Sequence, residues 1–130
     1  MSTQVGPDFT RSFIAGGTIT KDRVVYVSDA NTVLQSDEAA AGHGVAQEDA
    51  TSGNYVSVNM FGPSRRMTAG GAITAPATVL LDTAGRVVTT ATDGSYHIGI
   101  ALHDVAAAGD VIEILLLPFQ TEDVSDHTHS

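Results

Sequence analysis

The feature that most constrains this chain is an internal repeat. Ala15-Gly16-Gly17-Thr18-Ile19-Thr20 returns as Ala69-Gly70-Gly71-Ala72-Ile73-Thr74, 54 residues later. The same offset pairs Val25 with Val79, Ala30 with Ala84 and Val33 with Val87. After one inserted residue Gly44-Val45-Ala46 matches Gly99-Ile100-Ala101, and after one more Gly53-Asn54-Tyr55-Val56-Ser57-Val58 matches Gly109-Asp110-Val111-Ile112-Glu113-Ile114. Two units of about 50 residues are too few for a solenoid, which needs three or more to bury a continuous core. They fit a duplicated half-barrel or half-sandwich.

Each unit reads as short strands. Arg23-Val24-Val25-Tyr26-Val27 and Thr78-Val79-Leu80-Leu81 are rich in β-branched residues, and each runs into a turn, Ser28-Asp29-Ala30-Asn31 or Asp82-Thr83-Ala84-Gly85. Asx and Gly residues suit tight hairpin turns because they tolerate positive φ. Return strands come next at 32–35 and 86–90, then glycine-marked strands at 43–47 and 97–102. Alternating strands, Tyr55 to Met60 and Val111 to Leu116, close the units. The Ala-rich stretches 37–41 and 105–108 are one helical turn long at most, too short to hold alone. The expected fold class is all-β, a small β-barrel or sandwich built from two repeated halves. The domain reading is an N-terminal arm over 1–12, a β domain over 13–118 with halves at about 13–63 and 67–118, and an acidic flexible tail over 119–130.

Charge narrows the function. Fifteen Asp and Glu stand against six Lys and Arg, a net charge of −9. A chain that neutralises phosphates needs a basic face, so nucleic acid is excluded as a partner, and anionic membranes are disfavoured for the same reason. The longest apolar stretch, Val111 to Phe119, is about half the length of a membrane span and contains Glu113 and Pro118. The N-terminus lacks the basic start and apolar run of a secretory signal. Zero Cys removes disulfides, thiolate metal sites and Cys nucleophiles. Eleven of the acids are Asp and the sole lysine is Lys21. That balance suits concentrated salt, where screening removes self-repulsion.

No catalytic constellation is present: the sequence has no G-x-S-x-G, H-E-x-x-H, P-loop or complete G-x-G-x-x-G. The chain is therefore read as a non-enzyme without cofactor. Gly16-Gly17 and Gly70-Gly71 would cradle an anion only at the start of a helix. Thr18-Ile19-Thr20 and Ala72-Ile73-Thr74 look extended instead, so the paired glycines read as turns or bulges. His43 and His97 precede the two Gly-apolar-Ala strands and would have to meet to bind a metal. They read as exposed turn residues. Asp126-His127-Thr128-His129 does not close a tetrahedral site. Contact residues are better candidates. Phe9, Arg11 and Phe13 form apolar and cationic anchors in the stretch before the repeat, able to bind another chain or to cap the core. Arg65 and Arg66, the one cationic pair, lie in the link between halves and suit an acidic partner. The last strand, Ile112 to Leu117, is apolar on both faces near its end and must be covered by a second sheet or a neighbouring subunit, which makes Leu116, and Phe119 just beyond the strand, candidate contacts.

The ordered punctuation resembles that of the capsid cement, or head-decoration, proteins of tailed double-stranded DNA viruses. The likeness runs over about 13–118 and rests on Gly44-Val45-Ala46-Gln47, Thr51-Ser52-Gly53-Asn54, Ala69-Gly70-Gly71-Ala72-Ile73, the segment 79–88, Ile98-Gly99-Ile100-Ala101 and 106–114. The resemblance implies a β-barrel-like virion protein, commonly a homotrimer. It would sit on the outer capsid surface at three-fold and quasi-three-fold sites and clamp capsomers of the major capsid protein. Turret or spike proteins are further partners. With the Asp-rich surface it implies the virus of a halophile. The alternative is a fibre- or spike-base module involved in host attachment.

Overall fold

The structure is a computed structural model that describes residues 10–37, 42–62, 64–89 and 96–122. Ten strands run in order: β1 (Thr10–Ala15), β2 (Val24–Asp29), β3 (Thr32–Gln35), β4 (Gly44–Ala46), β5 (Tyr55–Met60), β6 (Ser64–Thr68), β7 (Thr78–Leu81), β8 (Val87–Val88), β9 (Tyr96–Ala101) and β10 (Val111–Glu122). None of the described residues is helical. The fold is all-β, as the turn and strand spacing requires.

Each repeat forms its own five-stranded unit, one a closed barrel and the other a sheet. Strands β1-β3-β2-β4-β5 form a closed barrel. The second sheet runs β6-β10-β9-β7-β8, and a parallel bridge between Ala69 and Val87 brings its two edges together. That bridge repeats the parallel pairing of Ala15 with Val33 in the first barrel, at the repeat offset. The antiparallel bridges Ile19–Ala50 and Ile73–Val105 are a second matched pair. So are the amides of Lys21 and Ala75, which donate to the Oδ1 atoms of Asp49 and Asp104, both at 2.7 Å. Gly53 and Gly109 take positive φ, 90° and 96°, at equivalent turns, and their amides donate to Ala15 and Ala69 carbonyls. Such a φ carries little cost for glycine alone.

The cores repeat as well. The first is built from Phe13, Ala15, Ile19, Val25, Val33, Ala46, Val56 and Val58. Their counterparts Met67, Ala69, Ile73, Val79, Val87, Ala101, Ile112 and Ile114 all lie in the second core. Alternation along each strand sends these side chains inward. The second core also takes Val24 and Val45 from the outside of the first barrel, with Phe61 packed against it. The consecutive valines Val24 and Val25 are thus buried on opposite faces. This shared layer joins the two units.

Polar contacts fix the same junction. The Asp22 carbonyl accepts from the amide and hydroxyl of Thr68 at 2.9 and 3.0 Å. The Val24 amide donates to the Gly85 carbonyl at 2.9 Å, and Arg23 Nη1 donates to the Ala84 carbonyl at 3.0 Å. The β7–β8 turn that makes these contacts is organised by Asp82. Its carboxylate accepts from the amides of Ala84 and Arg86 and pairs with Arg86 Nε at 2.8 Å.

Two boundaries differ from the sequence reading. Residues 10–12 of the expected arm belong to β1, and residues 119–122 of the expected tail continue β10. The expected link between the halves contains a strand, β6, over 64–68. Strands β1 and β6 are counterparts: each pairs antiparallel with the last strand of its own unit.

Candidate capsid-contact surfaces

The seven residues singled out from the sequence fall into different settings. Phe13 lies on β1 and is 1% exposed, at the centre of the first core. As an external anchor it is corrected to a core residue, because alternation turns it inward once residues 10–12 join the strand. Arg11, two residues before it, is exposed, with its guanidinium 4.6 Å from the Phe13 ring centroid and Nη2 donating to the Ala30 carbonyl at 3.2 Å. Arg65 is Arg11's counterpart on β6, and it is buried. Its Nε donates to the Met60 carbonyl at 2.8 Å and Nη1 to the Ser64 carbonyl at 2.7 Å. It ties β6 to the end of β5 and so is a structural residue of the junction.

Arg66 points the other way and is exposed. It sits opposite Glu113 in the β6–β10 register. Leu116 is half-buried against the second core. Phe9 lies outside the described residues, and for Phe119 only its place in β10 is described. The structure therefore leaves Arg11 and Arg66 as the exposed cations of this set, one on each unit.

Other surfaces stand out that the sequence does not single out. Tyr55 is 73% exposed, and Leu102, Val111 and Leu115 are exposed to 48%, 39% and 44%. Tyr55 rims an open groove of about 440 Å³ lined also by Thr18, Thr20, Asp49 and Asn54. At the junction, Val45, Gln47 and Asn59 face Ser64, Arg65, Arg66 and Glu113 across a cavity of about 370 Å³. The signal for the apolar outer face lies in the alternation of 111–115, which sets Val111 and Leu115 on the side away from Ile112 and Ile114.

Among the described residues, neither the paired glycines nor the histidines gather into a ligand site. The amides of Gly16 and Gly70 donate to the carbonyls of Val33 and Val87 at 2.9 and 2.7 Å, so the ladder uses the groups an anion would need. His43 precedes Gly44 directly, whereas Ile98 stands between His97 and Gly99 at a shift in the β7–β9 register. His43 Nδ1 accepts from the Val27 amide at 2.9 Å. No three His, Asp or Glu side chains among the described residues gather into a metal site. The 126–129 segment lies outside the described residues. No helix among the described residues is long and apolar enough to cross a membrane.

Two matched β units with exposed apolar and cationic outer faces suit binding more than chemistry, and comparison with known proteins decides the class. The model of the phage cement protein family matches residues 5–116. The chain belongs to that family. It is a virion structural protein of the capsid, and membership implies a non-enzymatic role. No curated protein matches. Among solved structures, this phage cement protein is similar to the head fiber gp8.5 N base of bacteriophage phi29, with a TM-score of 0.72 and 18% identity. The match covers 88% of this chain and 98% of that one, and at that identity it bears on the fold.

Proposed function

We propose that this cement protein decorates the outer surface of an icosahedral head. It does so as a homotrimer at three-fold and quasi-three-fold positions, bridging capsomers of the major capsid protein. The observation that carries this reading is the family match over residues 5–116, nearly all of the two five-stranded units. The mechanism is mechanical. A closed barrel hides its strand edges and resists shear, and each copy adds modest contacts that sum through multivalency across neighbouring capsomers. Arg66, exposed on β6, and Arg11, exposed on β1, supply charge-assisted contacts to acidic groups of the shell. Phe9 and Phe119 add apolar anchors.

The test is co-sedimentation of the purified protein with undecorated shells. Arg66→Glu reverses an exposed charge without touching a core. It should weaken shell binding at least about ten-fold, equivalent to ~1.4 kcal/mol, while the circular dichroism spectrum and melting temperature stay unchanged. Undiminished binding would remove Arg66 from the contact; absence of binding by the unaltered protein would remove the shell reading.

The second reading, a base for a fibre or spike, is favoured by the likeness to the phi29 head fiber base. Under it, a virion carrying this protein would lose a projecting appendage when the protein is removed, with its shell strength unchanged.

The net charge of −9 carries a further expectation of the halophilic reading. Thermal stability should rise as salt goes from roughly physiological to molar levels, since the Debye length shrinks from about 8 to about 3 Å. A melting temperature that stays level or falls would mark the acids as ordinary solubilising charge.

A further inference from the structure

The duplication supplies an internal comparison for the groove beside Tyr55, because the second unit shows what the fold needs at the same place. Three features recur. Ile19 and Ala50 exchange both backbone hydrogen bonds at 2.9 Å, as Ile73 and Val105 do at 3.0 Å. Asp49 and Asp104 each accept a backbone amide. The Asn54 and Asp110 amides donate to the carbonyls of Thr51 and Ala107, closing equivalent turns around Gly53 and Gly109. The side chains that differ are ones that line the groove. Thr18, Thr51 and Tyr55 stand where the second unit has Ala72, Ala107 and Val111, and the neutral amide of Asn54 stands where it has the carboxylate of Asp110. The second unit builds the same loops without them, so two hydroxyls, an amide and a phenol are additions that the fold does not require. Tyr55 is 73% exposed, and a ring held at the surface forgoes the burial that would stabilise it.

We propose that this groove binds a neutral pyranose unit of a glycan chain. Its volume of about 440 Å³ is that of a small-ligand site. The exposed Tyr55 ring offers a flat face to the C–H face of a sugar, and Thr18, Thr20, Asp49 and Asn54 offer polar partners to the sugar hydroxyls. Asp49 Oδ1 is engaged by the Lys21 amide and Asn54 Nδ2 by the Thr51 hydroxyl, both at 2.7 Å. Those bonds hold the two side chains in place, which lowers the ordering cost of binding, and leave Asp49 Oδ2 and Asn54 Oδ1 to accept from the ligand. Other ligand classes fit less well. An anion would meet the Asp49 carboxylate with no cation among the described lining residues, and one carboxylate is too few for a metal. An extended peptide would need open backbone groups to add as a strand, whereas the amides and carbonyls of Ile19 and Ala50 are paired with each other. A single such site binds weakly, and many copies on one shell sum through multivalency. The decorated head thereby gains a hold on saccharide-coated surfaces.

The test applies the full chain to an array of immobilised neutral oligosaccharides, with sialylated and sulfated glycans beside them. Binding to neutral glycans is expected, changing less than about two-fold between physiological and molar salt because no ion pair is involved. Tyr55→Ala should weaken it at least about ten-fold, while Tyr55→Phe, which keeps the ring, should stay within about three-fold. Thr18→Ala/Thr51→Ala, which installs the side chains of the second unit, should weaken it as well. All three variants alter exposed positions, so their melting temperatures should match that of the unaltered protein. Failure to bind any neutral glycan, a preference for the acidic glycans, or full binding by Tyr55→Ala overturns the proposal. A Phe variant as weak as the Ala variant does so too, since the ring would then carry nothing. Shell co-sedimentation, measured separately, keeps the two readings apart. A protein that binds shells and no glycan defeats only the groove, and one that binds glycans and ignores shells defeats only the capsid reading.

Discussion

Replacing Phe13 with Ala should destabilise the protein by about 4 kcal/mol, lowering the melting temperature by roughly 10–16 °C for a chain of this size. Phe13 is the largest side chain of the first core and is 1% exposed among Ala15, Ile19, Val25, Val33, Ala46, Val56 and Val58. Truncation removes the ring's transfer energy and leaves a cavity that a closed barrel cannot collapse, because each strand is hydrogen-bonded on both sides. Phe13→Met is the informative control. Met67 already fills the counterpart position in the second core, so the pattern accepts an unbranched side chain there, and the cost should stay below about 1.5 kcal/mol. Urea denaturation of both variants checks the pair. An Ala variant that melts normally but no longer binds shells would return Phe13 to the role of an external anchor.

The buried position of Phe13 selects the core role over the external anchor that the sequence left open beside it, and the reason the sequence did not decide lies in where the repeat becomes visible. From Ala15 onward it is legible because Gly-Gly punctuation is unmistakable. Just before it, Thr10-Arg11-Ser12-Phe13 matches Ser64-Arg65-Arg66-Met67 at the same offset of 54. Those two segments are polar, share only the arginine, and resemble an arm and a linker. Their strand character depends on partners more than 40 residues away in sequence, β5 for β1 and β10 for β6, and no local pattern encodes that. Extending the repeat backward finds both strands. It also shows that each unit carries all five of its strands.

The layer between the units is hidden for a different reason. Val24-Val25 and Val45-Ala46 each read as plainly apolar strand, yet one residue of each pair serves one core and its neighbour the other. Apolar runs of this kind predict burial on both faces without saying what lies on the far side. The same limit applies to the last strand, where the sequence demands a cover for both faces and cannot name it. The structure narrows the demand to one face, since Ile112 and Ile114 are buried in the second core while Val111 and Leu115 are exposed. The turns, by contrast, are fully legible: the Asp82-to-Gly85 turn forms because a carboxylate can satisfy the amides of Ala84 and Arg86 locally.

Gly99→Ala should cost about 3 kcal/mol, although it adds a single methyl group to a strand. A Cβ at Gly99 would be driven into the backbone carbonyl of Leu115 and would come within 2.5 Å of Ile114 Cγ2. The obstacle is main chain, so no rotamer change relieves it, and β9 and β10 must separate where Leu116 pairs with Gly99. Gly44 is the counterpart on β4, where an added Cβ would meet Val58 Cγ1 at 2.6 Å and the Asn59 carbonyl at 2.9 Å. Gly71→Ala is the matched control: a Cβ there meets nothing within 4 Å, so the change should stay within about 0.5 kcal/mol. Thermal melts of the two variants beside the unaltered protein decide the matter, and equal melting for Gly99→Ala and Gly71→Ala would show that the strands are not held this close.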